Sequence, residues 1–116
     1  MERSPLGVRF TLAASGELKG IYLRTASDFG ERQAGRYEDF LVGNIESLID
    51  FPEQGEELAT RPGLRRITLK WRGSRHGHVV IYRADGRAEA IDILHIYHTS
   101  MDIGARLDED LRKDET

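Results

Sequence analysis

Residues 78–98, HVVIYRADGRAEAIDILHIYH, contain two strands and the turn between them. Both halves are rich in β-branched and aromatic residues, which are typical of strands. The dipeptide Asp85-Gly86 between them is a strong signal for a tight hairpin turn. We therefore predict antiparallel strands over residues 78–84 and 88–98.

The second strand of this pair also positions two of the four histidines. Successive residues of a strand alternate between its two faces. Alternation predicts that one face carries Ile91, Ile93, His95 and Tyr97. The opposite face is predicted to carry Leu94, Ile96 and His98.

The preceding chain supplies further elements. Residues 64–70 form a third strand, and a loop rich in Glu, Gly and Pro precedes them. Two stripes of apolar residues at steps of three and four predict helices that end near Gly30 and at Phe51-Pro52. Residues 8–12 alternate between apolar and polar side chains, which predicts a short first strand.

These elements follow the order β-α-α-β-β-β, and a short C-terminal helix comes last. The link at Gly30 is short, so the two helices should form an antiparallel hairpin, and each leaves an apolar stripe to be covered. This predicts an α+β fold with the helical hairpin packed on a small antiparallel sheet. We expect one domain over residues 1–116, because 116 residues suit a single core. Residues 108–116 are acidic and are expected to be a frayed or disordered tail.

The composition excludes several classes of function. The chain has no cysteine, which excludes disulfides, thiol catalysis and cysteine-ligated metals. No segment approaches the roughly 18 apolar residues of a membrane span, and the first residues lack the apolar stretch of a signal peptide. We therefore expect a cytoplasmic protein with no membrane partner.

Neither a cofactor nor a metal is predicted. The chain contains no glycine-rich phosphate-binding motif. The four histidines fall into two pairs in sequence, 76 with 78 and 95 with 98, and no further ligands with zinc spacing accompany them. The adjacent carboxylates at 56–57 and 108–110 are typical of solvated surface.

Basic charge is concentrated in one part of the chain. Residues 61–87 hold eight basic side chains and one acidic side chain, although the whole chain has a net charge of −3. Fourteen of the 17 basic residues are arginines, which suit carboxylate or phosphate partners. A partner surface and a merely solvated sheet face are both consistent with this pattern.

Several segments, taken in order, resemble the ParE toxins of the RelE/ParE superfamily, the toxic halves of type II toxin-antitoxin pairs. The resemblance extends over most of the chain. The segments are Leu18-Lys19-Gly20-Ile21-Tyr22, Phe29-Gly30-Glu31-Arg32-Gln33-Ala34, Phe51-Pro52 with Gly55, Pro62-Gly63-Leu64-Arg65-Arg66, residues 78–83, and residues 91–103. In the last segment the closing His98 is followed after a short gap by Asp102, as in the family.

The resemblance implies the same α+β fold and a cognate ParD-like antitoxin, whose C-terminal segment folds over the toxin. DNA would be contacted only through the antitoxin. The implied antitoxin-binding residues are Leu18, Ile21, Tyr22, Leu41, Arg65 and Arg83.

The superfamily contains two activities. ParE-like members resemble inhibitors of DNA gyrase, and the implied target-binding residues here are His98, Met101 and Asp102. RelE-like members cut messenger RNA on the ribosome with lysines and arginines on the sheet. Lysine is scarce in this chain, which favours the gyrase inhibitor.

Two alternatives remain. A metal-independent endoribonuclease would use Arg65, Arg83, His95, Tyr97 and His98. A non-toxic relic that only binds its antitoxin is the other alternative. The residues implied to bind the target also have an ordinary structural explanation, in which His98 packs at the strand end and Asp102 caps the last helix.

Overall fold

One mixed β-sheet is packed between a helical hairpin and a single C-terminal helix. The computed structural model describes residues 2–3, 7–86 and 89–115. The strands are β1 (Glu2–Arg3), β2 (Val8–Phe10), β3 (Glu56–Leu58), β4 (Arg61–Leu69), β5 (His78–Asp85) and β6 (Ala90–His98). The helices are α1 (Leu12–Phe29), α2 (Glu31–Glu46) and α3 (Ile103–Glu115), with short 3-10 turns at Ser47–Ile49 and Pro52–Gln54.

Within the described residues the sheet has the strand order β1-β2-β6-β5-β4-β3. Strands β4, β5 and β6 form the predicted antiparallel meander. Strand β2 pairs in parallel with β6, so the sheet is mixed. The α+β class and the predicted order of elements are confirmed.

The hairpin forms because local signals mark both the beginning and the end of α1. Thr11 caps α1, and its side-chain oxygen accepts a hydrogen bond from the Ala14 amide. Gly30 links the helices with a φ of 93°, a value that favours glycine. The hairpin and one face of the sheet share a core whose fully buried members include Leu41, Ile45, Leu48, Val80, Tyr82 and Ile93.

Helix α3 covers part of the other face of the sheet. The Asp102 carboxylate accepts a hydrogen bond from the Ala105 amide at its first turn. Ile103 and Leu107 then pack against a second core that includes Tyr97. The helix continues to Glu115 and so includes most of the segment expected to fray, because Leu111 extends the apolar stripe.

A β-bulge interrupts strand β6. Tyr82 pairs with Ile93 and the preceding Ile81 pairs with His95, so Leu94 is an extra residue on β6. The bulge reverses the alternation after Ile93. Ile96 packs with Ile91 and Ile93 in the hairpin core, whereas Tyr97 packs under α3 with His95 stacked on its ring. The prediction that His95 and Tyr97 share a face with Ile91 and Ile93 was therefore wrong.

None of the helices in the described ranges is both long enough and apolar enough to cross a membrane.

Candidate functional site

A groove of about 620 Å³ lies between the C-terminal half of α1 and the end of β6. The groove exists because β2 pairs with β6 only as far as Ile93, so the edge of β6 beyond that point faces α1. Two side chains of this region hold the edge. The Thr11 hydroxyl donates to the Leu94 carbonyl at 2.9 Å, and the Ile96 amide donates to Glu17 Oε1 at 2.8 Å.

The groove walls combine apolar and polar side chains. Phe29 is 71% exposed and Met101 is 41% exposed, and both line the groove with the half-buried Ile21. Arg24 and Asp28 border it from α1. Exposed apolar side chains beside charged groups suit an amphipathic peptide chain better than a small polar substrate.

Histidines form the inner wall of the groove. His78 and His98 are cross-strand partners, with ring centroids 5.3 Å apart, and the His76 ring lies 5.5 Å from that of His98. The Tyr37 hydroxyl and His78 Nδ1 are 2.6 Å apart, and His98 Nδ1 accepts a hydrogen bond from the Ser100 amide at 3.1 Å. Burial, with repulsion from His98, lowers the pKa of His78 to about 4. His78 is therefore neutral at neutral pH.

This lowered pKa predicts a pH dependence of stability. In the unfolded chain His78 has a pKa near 6.5, so the unfolded state binds more protons between about pH 6.5 and pH 4. Stability is therefore fully present above this window and is lost as the pH falls through it. We expect a loss of about 1 kcal/mol between pH 7 and pH 5, after allowing for partial exposure.

Urea unfolding of the wild type and His78→Gln at several pH values checks this expectation. The variant should lose less stability across the window than the wild type. Equal losses in both proteins would show that His78 is not the responsible group. Asp92 should interfere little above pH 5, because its pKa is lowered and its stabilisation is therefore lost only near and below its ordinary value of 3.8.

The opposite face of the sheet carries a compact ion-pair cluster. Asp92 is 3% exposed, and Arg9 contacts both of its carboxylate oxygens, at 2.6 and 2.9 Å. Arg83 contacts the same carboxylate at 3.1 Å. Burial alone would raise the pKa of Asp92, but the hydrogen bonds from the two arginines outweigh it and lower the pKa. The cluster joins the parallel strand β2 to β6.

The structure separates the residues that a ribonuclease would need together. Arg65 pairs with Tyr82 and His98 pairs with His78, and these positions face the hairpin. Arg83, His95 and Tyr97 lie on the face that α3 covers. Several of the groups are also engaged inside the chain, because Arg65 donates to the Gly55 carbonyl at 2.7 Å and the Tyr97 hydroxyl donates to Asp110 at 2.7 Å.

Of the six residues expected to bind an antitoxin, three lie on α1 and one, Leu41, lies on α2, whereas Arg65 lies on β4 and Arg83 on β5. Leu18, Ile21 and Tyr22 are partly buried on α1. Ile21 lines the groove, while Leu18 and Tyr22 line a separate depression where α1 and α2 meet Phe10 of β2. Leu41 is completely buried in the hairpin core. It is therefore a core residue, and its assignment to the antitoxin surface is corrected.

The residues expected to bind a target lie near one another at the end of β6. His98 and Met101 line the groove, whereas Asp102 caps α3. The sequence did not identify Phe29 as a surface residue, because its helical spacing placed it on the buried stripe. Its position as the last residue of α1, immediately before Gly30, was the available signal.

The comparisons with known proteins identify the family. A family model described as the ParE toxin of type II toxin-antitoxin system, parDE, matches residues 8–103. The chain belongs to the ParE toxin family. No curated protein matches it significantly.

Solved structures agree with this assignment. The chromosomal ParDE toxin-antitoxin system from P. aeruginosa contains a chain that is 25% identical, with a TM-score of 0.63 over 78% of this chain and 92% of that one. A chain of the intact E. coli RelBE toxin-antitoxin complex is 16% identical, with a TM-score of 0.52 over 78% of this chain and 93% of that one. The second likeness shows a shared fold only.

Proposed function

We propose that this ParE-family chain is neutralised by direct binding of a cognate ParD-like antitoxin and that the free toxin inhibits DNA gyrase, and so replication and growth. Membership of the ParE family supports the type of partner and target. The likeness to the P. aeruginosa ParDE system supports an antitoxin partner.

One observation carries the proposal that the protein acts by binding rather than by catalysis. The five residues that could form a metal-independent ribonuclease site lie on two faces of the sheet, with Arg65 and His98 on one and Arg83, His95 and Tyr97 on the other. General acid-base catalysis needs such groups within hydrogen-bond reach of one substrate. A surface that exposes Phe29 and Met101 is better suited to holding another polypeptide.

The groove and the depression that Leu18 and Tyr22 line both offer the antitoxin surface along α1. Leu23 is 56% exposed and Phe29 is 71% exposed on this helix, so both offer apolar surface that a partner can bury. An antitoxin segment that is disordered when free can fold on such a surface and bury it. Its acidic residues would meet cations such as Arg24 at the groove rim.

A supercoiling assay with purified gyrase and relaxed plasmid tests the proposal. We expect the free protein to inhibit supercoiling and the antitoxin encoded beside its gene to restore it. Met101→Glu should weaken inhibition by at least about tenfold if this end of the groove contacts gyrase, since it places an unpaired charge in an apolar contact. Leu12→Glu is the matched control, because Leu12 is 83% exposed and lies outside the groove.

A ribosome-dependent messenger cleavage assay run in parallel distinguishes the alternatives. Cleaved messenger with unaffected gyrase would contradict the proposal and point to the ribonuclease. No effect in either assay, with antitoxin binding retained, would identify a non-toxic relic. Equal loss of inhibition in Met101→Glu and Leu12→Glu would remove this end of the groove from the gyrase contact.

A further inference from the structure

A cluster of potential metal ligands lies where three elements meet at the edge of β6. It consists of Glu17 from α1, His95 from β6 and Asp110 from α3, and one ligand atom from each lies within 4.8 Å of the other two. His95 Nδ1 is 3.0 Å from Glu17 Oε2 and 3.9 Å from Asp110 Oδ2. Segments far apart in sequence thus direct one nitrogen and two oxygens toward one point.

Neighbouring groups orient each carboxylate of the cluster. The Ile96 amide donates to Glu17 Oε1, which leaves Oε2 directed at the imidazole. The Tyr97 hydroxyl donates to Asp110 Oδ2 at 2.7 Å, and the ring of Tyr97 stacks on that of His95 with centroids 5.1 Å apart. Such outer contacts are what hold ligands in place at metal sites.

We propose that Glu17, His95 and Asp110 bind a divalent transition-metal ion, for which zinc is the best match. One imidazole nitrogen with two carboxylate oxygens suits zinc better than magnesium, which prefers oxygen alone. The ion takes the place of the hydrogen bond between His95 Nδ1 and Glu17 Oε2. The neutral imidazole then binds it through Nδ1 and keeps its one proton on Nε2, any second ring proton passes to solvent, and water completes the coordination. This departs from the expectation, based on sequence spacing, that the chain holds no metal.

Distances and exposure are compatible with this role. Zinc-ligand bonds of about 2.0 to 2.2 Å hold neighbouring ligand atoms a little more than 3 Å apart. Because the three ligand atoms already lie within 4.8 Å of one another, only small side-chain adjustments are needed to bring them to these distances. The His95 side chain is 5% exposed, whereas those of Glu17 and Asp110 are 27% and 13% exposed. The ion can therefore enter from the carboxylate side.

One neighbour opposes the ion. Arg106 Nε lies 3.4 Å from Asp110 Oδ2, and a guanidinium in that place repels a cation. The Arg106 side chain is 51% exposed, so it can turn toward solvent when the ion binds. Its removal should therefore strengthen metal binding, which offers a test by gain of affinity.

Calorimetric titration of the full chain with zinc chloride tests the site. We expect one zinc ion per chain, binding at least about tenfold weaker in Glu17→Gln and in Asp110→Asn, and about threefold or more tighter in Arg106→Gln. His98→Gln is the matched control, because it removes the central histidine of the groove's cluster and leaves this site intact. Thermal unfolding should show a zinc-dependent rise of Tm that Glu17→Gln abolishes.

Three results would overturn the proposal. One is the absence of binding with one-to-one stoichiometry in the wild type. Another is binding that His98→Gln abolishes and Glu17→Gln preserves, which would place the ion in the groove. The third is unchanged or weaker binding in Arg106→Gln, and this variant keeps the test decisive even if a carboxylate variant does not fold.

Discussion

Gly77→Ala is expected to destabilise the protein by about 3 kcal/mol, measured by urea unfolding. A Cβ atom at Gly77 would lie 2.1 Å from the Leu69 carbonyl oxygen and 3.0 Å from Lys70 Cα. Both are backbone atoms, at the end of β4 and in the residue that follows it, so no side-chain rotation can relieve the contact. Gly77 also exchanges hydrogen bonds with Thr99, which ties the start of β5 to the end of β6. The added methyl group must therefore separate strands at the inner end of the groove.

The matched control is the same chemical change in a helix. A Cβ atom at Gly35, inside α2, would meet nothing within 4 Å apart from its own helix. Gly35→Ala should therefore stabilise the protein by about 0.5 to 1 kcal/mol, because alanine favours the helix and restricts the unfolded chain. Opposite signs for the two variants are the expected result. A Gly77→Ala variant as stable as the wild type would contradict the close approach described here.

The elements of the fold could be predicted because their signals are local. The apolar spacing of each helix lies within that helix. Gly30 and the Asp85-Gly86 dipeptide lie directly beside the elements that they separate. The parallel pairing of β2 with β6 has no such signal, because Arg9 and Asp92 are 83 positions apart. The order of elements therefore agreed with the structure, while the mixed character of the sheet depends on a long-range pairing that no local pattern indicates.

The bulge at Leu94 limited what could be predicted of the site. A one-residue bulge leaves composition and strand propensity unchanged but reverses every later side chain. The bulge therefore placed His95 and Tyr97 under α3 and separated them from Arg65. The sequence had indicated all three as candidate residues of one ribonuclease site, but it could not show that they lie on different faces. The resemblance to known toxins did position His98 and Met101 together, since it depended on a motif at the end of β6.

The cluster of Glu17, His95 and Asp110 was missed for a related reason. In sequence, Glu17 is one charge on the polar face of a helix, and Asp110 belongs to a run of acids that is typical of a solvated tail. Only the packing of α1 and α3 against the same strand edge brings the two carboxylates to His95. Local patterns contain no information about such a meeting of three elements.

Phe29→Glu is expected to weaken antitoxin binding by about 30-fold or more, which corresponds to at least about 2 kcal/mol. This expectation depends on the proposed antitoxin complex. The Phe29 ring is 71% exposed at the groove, so its burial by the antitoxin would contribute strongly to affinity. Because the ring lies outside the core of the free chain, the substitution should change its stability by less than about 0.5 kcal/mol.

Phe51→Glu is the control that makes the expectation specific. Phe51 is 64% exposed and follows the far end of α2, about 25 Å along the helix axis from Phe29. The two variants introduce the same charge at similarly exposed rings, and titration with the antitoxin encoded beside the gene compares them directly. Phe51→Glu should bind within about twofold of the wild type. Equal loss in both variants would mean that the added charge acts at long range. Full binding by Phe29→Glu would remove this end of the groove from the antitoxin interface.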